Sequence, residues 1–404
     1  MRRQVRPYRR GDHRNLKELS TIPVGYARLA FSRGHIRRRG RCRPRLAAAR
    51  PQPGAITGME VQMSAVTAPG LAIQGGTVPL VVEAGQLAER NGFHSVWSSE
   101  FYDRSAVVTL AALAAVTSRI QLGSSIAWAF ARTPITLATD FRSLDDLAPG
   151  RMSMGLGTGN PQVIGDWHGL SAPKPVARLV EIIEIIRQVW NVHERPVAYD
   201  GKFFRCHLAL DPLLPALSTG TLPILLAGGR APIIRAAGAV ADGLVGQPFW
   251  SAAFVRDFVH PALSEGAELA GRTGRIPVTG MIITAIGDDS AQARATAAMQ
   301  AAIFLTRKSA DPFLQFHGFA AEIAAVREAF ERRDFRGMAA AVSERMLDVL
   351  AVFGTPQEAR ERYRANFESV YEQPLFYSSG KGMPLEHFRD NVHAICETFS
   401  DVHA

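Results

Sequence analysis

The sequence predicts an α/β protein built as one (β/α)8 barrel with insertions. From about residue 64, short apolar runs alternate with longer helical patterns about eight times, the mark of parallel strands joined by helices. Some eight units over about 320 residues favour a closed barrel over a doubly wound sheet, which the same alternation permits. Proline or threonine at helix starts and glycine at helix stops punctuate the pattern.

Leu71-Ala72-Ile73 reads as a buried first strand. Pro79 opens a helix carrying Leu80, Ala84, Leu87 and Ala88 at helical spacing, stopped by Asn91-Gly92. His94 to Trp97 forms the second strand, and a helix over about 106–117 presents Leu110, Leu113 and Ala114 on one face. Ile120 to Ala127 is the third strand. Thr133 caps a helix that begins at Pro134 and runs to about Asp146. Leu147-Ala148-Pro149-Gly150 turns into a fourth strand, Arg151 to Gly157.

The clearest helix spans about 176–192, with Leu179, Ile182, Ile183, Ile186, Val189 and Trp190 in one stripe. A Pro/Gly-bearing insertion over 195–221 precedes the strand Ile224 to Ala227. A helix (231–240), a strand (Leu244-Val245), a helix (251–268), a strand (276–286) and a long helix (290–308) follow. Further helical sequence fills 320–348, and Gly354-Thr355-Pro356 starts the helix before a last strand near 370–377.

The net charge of +9 is concentrated at one end. Residues 1–58 hold 16 Lys/Arg against Asp12 and Glu18, a local +14, leaving the remainder at −5. This segment, with Arg37-Arg38-Arg39 and Pro51-Gln52-Pro53-Gly54, keeps no period of 2 or 3.6, and its composition predicts disorder. It divides the chain into a basic tail (1–58) and a barrel domain (59–404), with Met59 or Met63 as alternative starts. A nucleic-acid or targeting arm is the other reading of the tail. Arg2-Arg3 lacks the apolar core an export signal needs, and a mildly acidic body offers nucleic acid no second footprint.

Cys42, Cys206 and Cys396 show no paired spacing, which argues against a disulfide framework or zinc site and suits a cytoplasmic protein. No run reaches the length of a membrane span. The histidines lack ligand spacing, so no metal is expected, and no G-x-S-x-G elbow points to a hydrolase.

In such a barrel the chemistry gathers at the C-terminal ends of the strands. Four segments stand there. Ser98 to Arg104 brings Glu100 to a strand end as a candidate catalytic group, with Asp103 and Arg104 readable as a solvated local pair. Leu122 to Trp128 combines small residues, which allow close approach by a ligand, with Trp128, which could stack on a flat ring or merely close the barrel. Gly155 to Pro161 departs from a dinucleotide fingerprint in spacing and in Pro161, yet Thr158 and Gly159 suit a phosphate or ribityl chain. Gly228-Gly229-Arg230 opens a helix whose free N–H groups suit an anion. His168 is the one histidine in a candidate site loop.

At these same segments the chain resembles the bacterial luciferase-like monooxygenases, and within them the coenzyme F420-dependent oxidoreductase branch. The resemblance runs through Leu87 to Phe93 (LAERNGF), Ala127 to Pro134 (AWAFARTP), Leu144 to Leu147 with Gly150-Arg151, Gly155 to Asn160 and Tyr199 to Phe204. It continues through Leu226 to Arg230, Ala241-Asp242-Gly243 and Gly354-Thr355-Pro356, covering about 64–380 in order. It implies a TIM barrel whose third strand carries a non-prolyl cis peptide, here Ser125–Ile126, forming a bulge behind the cofactor ring. It matches Glu100, Trp128, Thr158, Gly228 and Gly229 to cofactor-contacting positions, with Gly228 to Arg230 near the phosphate. Together with the segments read above, the cofactor is expected at Ser125, Ile126, Thr158, Gly159, Gly228, Gly229 and Arg230, and Glu100, Trp128 and His168 are the catalytic candidates. The sugar-phosphate dehydrogenases of that branch carry Asp-His where this chain has Glu100-Phe101, and Glu where it has Asn160. Their acid–base pair is therefore absent.

The resemblance implies an F420-dependent oxidoreductase that moves a hydride between the deazaflavin and a small organic substrate. An FMN-dependent monooxygenase of the same fold is the near alternative. A non-catalytic flavin-binding protein with a nucleic-acid-associating tail is the alternative from another class. A small molecule is the expected partner, rather than a membrane or nucleic acid, and a homodimer the expected assembly. Phe203 and Phe204 of the 195–221 insertion are expected to cover the site.

Overall fold

The first strand begins where the chain first strings buried apolar residues together, and every later barrel strand repeats that pattern. The computed structural model describes residues 69–400, so the basic tail and both alternative starts lie outside the described residues. In chain order the strands are β1 (Gly70–Gln74), β2 (Ser95–Ser98), β3 (Gln121–Ser124), β4 (Ala127–Trp128), β5 (Met152–Gly157), β6 (Val197–Asp200), β7 (Arg205–Leu208), β8 (Ile224–Ala227), β9 (Gly243–Val245), β10 (Val278–Ile286), β11 (Ala351–Gly354) and β12 (Gln373–Ser379).

A closed, parallel, eight-membered ring runs β1, β2, β3 with β4, β5, β8, β9, β10, β12 and back to β1. Closure is in register from Gly70↔Leu375 to Gln74↔Ser379. β11 is an added parallel strand along the far half of β10, from Ile283↔Ala351 to Ile286↔Gly354. All nine residues of β10 are buried, as expected for a strand covered on both faces.

Helices fill the connections where the punctuation places them. Thr77, Ser105 and Thr133 each cap a helix through the side-chain oxygen, and Thr355 with Glu358 forms a reciprocal capping box. The helix Pro175–Trp190 buries the whole predicted stripe, and its Trp190 indole N–H donates to the Ala138 carbonyl at 2.9 Å. Among the described residues no helix is long and apolar enough to cross a membrane.

Two motifs of the resemblance serve the opposite, N-terminal end of the barrel. The Glu89 carboxylate accepts from the backbone N–H groups of Ser118, Arg119 and Ile120 at 2.9, 2.7 and 3.0 Å. Burial opposes its charge, but the three donors outweigh burial and hold its carboxyl below the usual range. Arg151 ties the start of β5 to the carbonyls of Thr117 and Ile120. Residues at this end stabilise the ring rather than act on substrate.

The 195–221 insertion departs from expectation. It folds as the antiparallel hairpin β6–β7. The N–H groups of Phe203 and Phe204 donate to Glu181 at 2.9 and 3.0 Å, and the Arg178 guanidinium stacks over both rings. Both partners belong to the outer helix Pro175–Trp190, so the aromatic pair lines the barrel wall instead of covering its mouth. Residues farther along the insertion are pinned by Asp145, which accepts from the Ser218 N–H and hydroxyl at 2.7 Å each.

Candidate active site

The predicted third strand is interrupted. β3 ends at Ser124, the Ser125–Ile126 peptide is cis, and the chain resumes as β4 at Ala127. Ile126 is half-buried between fully buried neighbours, so the interruption presents its side chain at the rim. The surroundings are shaped to it. The Ser125 N–H donates to the Ser98 carbonyl at 2.9 Å, and the Ser99 hydroxyl donates to the Ser125 carbonyl at 2.8 Å. The Glu100 N–H donates to the Ile126 carbonyl at 3.1 Å.

The glycines next to the interruption make room for protein, not for ligand. A β-carbon on Gly155 would lie 1.9 Å from the Ser124 carbonyl oxygen, and one on Gly157 would lie 2.2 Å from the Ile126 side-chain end. Gly123 is vacant for the Trp97 ring, 2.4 Å from where its β-carbon would stand. Gly123, Gly155 and Gly157 are therefore packing positions. Of the predicted glycine-rich segment, Thr158 and Gly159 remain at the rim, the Thr158 hydroxyl donating to the Gly159 carbonyl at 3.0 Å.

Register brings the four predicted segments to one end. Ser98 is paired with Ser124, Trp128 with Gly157, and Gly157 with Ala227. Glu100, Thr158 and Gly228 consequently leave neighbouring strands at the same rim. Gly228 is half-buried, Gly229 buried and Arg230 exposed, with the Arg230 guanidinium donating to the Lys308 carbonyl at 2.9 Å. Arg230 is also the N-cap of the helix Ala231–Val240 but gives it no side-chain cap. Of the first turn the Ala231 N–H is left for an outside acceptor, since Pro232 has none and the Ile233 and Ile234 N–H groups donate to the Arg230 carbonyl at 3.1 and 3.2 Å.

Glu100 is committed to structure. Its carboxylate accepts from the Trp128 N–H and from both terminal nitrogens of Arg132. The neighbouring Asp103 and Arg104 do not form the expected local pair. The Arg104 guanidinium donates to the Gly76 carbonyl, and its backbone exchanges hydrogen bonds with Phe101.

Above the interruption stands an aromatic group. Trp128 is 7% exposed and packs at 5.7 Å from Trp167, 5.4 Å from His168 and 6.2 Å from Phe101. Phe101 in turn meets Tyr102 at 4.7 Å and Trp167 at 4.9 Å. Trp167 and His168 come from the helix Pro161–His168, and His168 is exposed.

Sequence reasoning missed Arg132, Trp167, Lys381 and Arg307. Lys381 follows β12, and its ammonium lies over the Phe101 ring. The strand-end rule that selected the other loops would have selected Ser379-Gly380-Lys381 as well. Arg132 stood inside the Ala127 to Pro134 motif without being singled out, and Arg307 carries no such local signal. Among the described residues no group of His, Cys, Asp or Glu could hold a metal ion.

Residues 59–373 match the family profile of the luciferase-like monooxygenases. Over 166 residues the chain is 36% identical to a Mycobacterium tuberculosis protein assigned by name to the coenzyme F420-dependent oxidoreductases, covering 39% of this chain and 47% of that protein. The chain thus spans just under half the length of that relative. It is 33% identical over 233 residues to the F420-dependent glucose-6-phosphate dehydrogenase of Kineococcus radiotolerans, covering 54% of this chain and 67% of that one. Its fold is similar to that of the coenzyme F420-dependent tetrahydromethanopterin reductase of Methanopyrus kandleri, with a TM-score of 0.68 at 22% identity over 82% of this chain and 99% of that one.

Proposed function

The chain belongs to the luciferase-like monooxygenase family and is an oxidoreductase, and from this premise we propose that it uses coenzyme F420 to move a hydride to or from a small organic substrate. The interrupted third strand carries the reading. It sets Ile126 at the rim beside Trp128, one strand from Thr158 and two from Gly228. A flat ring system with an anionic tail fits these residues: an apolar backing at Ile126, and an uncapped helix start at Gly228 to Arg230 for the tail's phosphate.

When bound, the deazaflavin supplies a two-electron redox centre. The chain's own residues orient it and exclude water. Ser125 and Ile126 would back the ring, Thr158 and Gly159 would border the chain that leaves it, and Gly228, Gly229 and Arg230 would receive the phosphate. Glu100 acts as a positioning residue, because its oxygens are engaged by Arg132 and the Trp128 N–H. Trp128 walls the substrate side, and His168, exposed against its edge, is placed to exchange a proton with a substrate resting there.

Titration of the full chain with coenzyme F420 and, separately, with FMN tests the reading by quenching of cofactor fluorescence. Saturable binding of the deazaflavin, with FMN much weaker, is expected. Tight binding of FMN alone would replace the proposal with an FMN-dependent monooxygenase. Binding of neither would remove the redox reading.

A further inference from the structure

We propose that Arg307 and Lys381 form an anion subsite for the substrate at the barrel mouth, so that the molecule acted on carries a carboxylate or phosphate group. The inference rests on the oxidoreductase reading for the word substrate, but the subsite itself stands on geometry.

The helix Ser290–Leu305, which follows β10, returns toward the mouth. Its Gln300 side chain accepts from the Ser379 N–H at 2.9 Å and donates to the Thr284 carbonyl at 3.3 Å. That anchoring sets Phe304 edge-on to Tyr377 with ring centres 5.5 Å apart, and the Arg307 guanidinium 5.1 Å from the Phe304 ring centre. Among the described residues the Arg307 guanidinium makes no hydrogen bond and no ion pair. Its neighbours are engaged: Arg230 on the Lys308 carbonyl, Arg327 through a terminal nitrogen on Asp311. The half-buried guanidinium therefore keeps its N–H donors for an outside acceptor.

Lys381 presents the second cation. Its ammonium lies over Phe101 and 5.3 Å from the Tyr102 ring centre, and no carboxylate reaches it within ion-pair distance. The charged groups that face it are Asp103, which favours its charge, and Arg307, which opposes it. Two cations therefore share one rim, with Asp103 as the one acid that acts on Lys381. Other polar groups there are already committed, the Tyr377 hydroxyl to Gln74 at 2.5 Å and the Ser379 N–H to Gln300. An entering anion would relieve the repulsion and satisfy the guanidinium together.

The place of Lys381 assigns that anion to the substrate rather than to the cofactor's tail. The tail is proposed to end at Gly228 to Arg230, after β8. Lys381 follows β12, three strands farther round the ring, and reaches across to rings that follow β2.

The test is calorimetric titration of the full chain with inorganic phosphate at constant ionic strength, first without any deazaflavin and then with it. Saturable binding is expected, weakened about ten-fold or more by Arg307→Met and by Lys381→Met, with Arg307→Lys keeping most of it. Thermal melts confirm that each variant is folded, and deazaflavin affinity is expected to stay within about two-fold of the parent. Absence of saturable binding, or equal binding in both Met variants, would overturn the subsite. A matching loss of deazaflavin affinity would assign the cations to the cofactor and overturn the substrate assignment. Phosphate binding in a protein that binds no deazaflavin would support the subsite while removing the function proposed above.

Discussion

Glu100 and Arg132 face each other fork to fork: the two guanidinium nitrogens reach the two carboxylate oxygens at 2.8 and 2.7 Å, with side chains only 9% and 16% exposed. Removing one partner would leave the other charge enclosed, with Asp140 at 3.3 Å as the only second acid for Arg132. Glu100→Gln is expected to destabilise the fold by about 2–4 kcal/mol in urea unfolding and to weaken cofactor binding with it. Arg132→Met should cost a similar amount, and the double variant less than the sum. A Glu100→Gln protein of normal stability but no turnover would make Glu100 a proton carrier instead.

Gly155 and Gly157 separate stability from function. Alanine at 155 meets a backbone oxygen at 1.9 Å, which cannot yield, so loss of about 3 kcal/mol or failure to fold is expected. Alanine at 157 meets the end of the Ile126 side chain, which can rotate. Gly157→Ala should melt near the parent temperature yet lose cofactor affinity as Ile126 is displaced. Equal melting temperatures for the two variants would contradict this account.

Lys381 gives a signed pH dependence. Burial lowers its pKa from 10.5 to about 8, Asp103 pulling back up and Arg307 pushing further down. Between these two values the unfolded chain holds a proton that the folded protein has released, so stability rises with pH across that window. Below it the folded state bears the full cost. Lys381→Met is expected to stabilise the protein near neutral pH by about 1 kcal/mol, a figure reduced for partial exposure. The gain should fade as the pH approaches 10.5. Melts across that range check the slope. Anion binding at the subsite should run oppositely, weakening as the pH passes about 8.

Phe203 and Phe204 should matter to the hairpin and not to the mouth. Phe203→Ser is expected to lower the melting temperature slightly, through lost stacking on Arg178, and to leave cofactor affinity within about two-fold. A large rise in KM would restore the pair to the site.

Local signals carried most of the fold. Apolar runs bounded by Pro79, Thr133, Asn91-Gly92 and Thr355-Pro356 marked strands and helices because caps and breakers act within a few residues. β11 and the β6–β7 hairpin escaped, since a four-residue run such as Ala351–Gly354 looks the same in a helix as in a strand. At the site, Glu100, Trp128 and Thr158 were visible as strand-end residues. The role of Glu100 was not, because it depends on Arg132, 32 positions along the chain. Arg307 and Lys381 lie 74 positions apart, and only the return of the helix Ser290–Leu305 brings them to one rim.

Ring closure by the final strand has a consequence for biosynthesis. Until residues 373–379 leave the ribosome, β1 and β10 expose bare main-chain edges, and any passing strand can add to them. A chain halted just short of that segment would be sticky as well as inactive, and the nascent protein depends on residues 373–379 arriving before neighbouring polypeptides do.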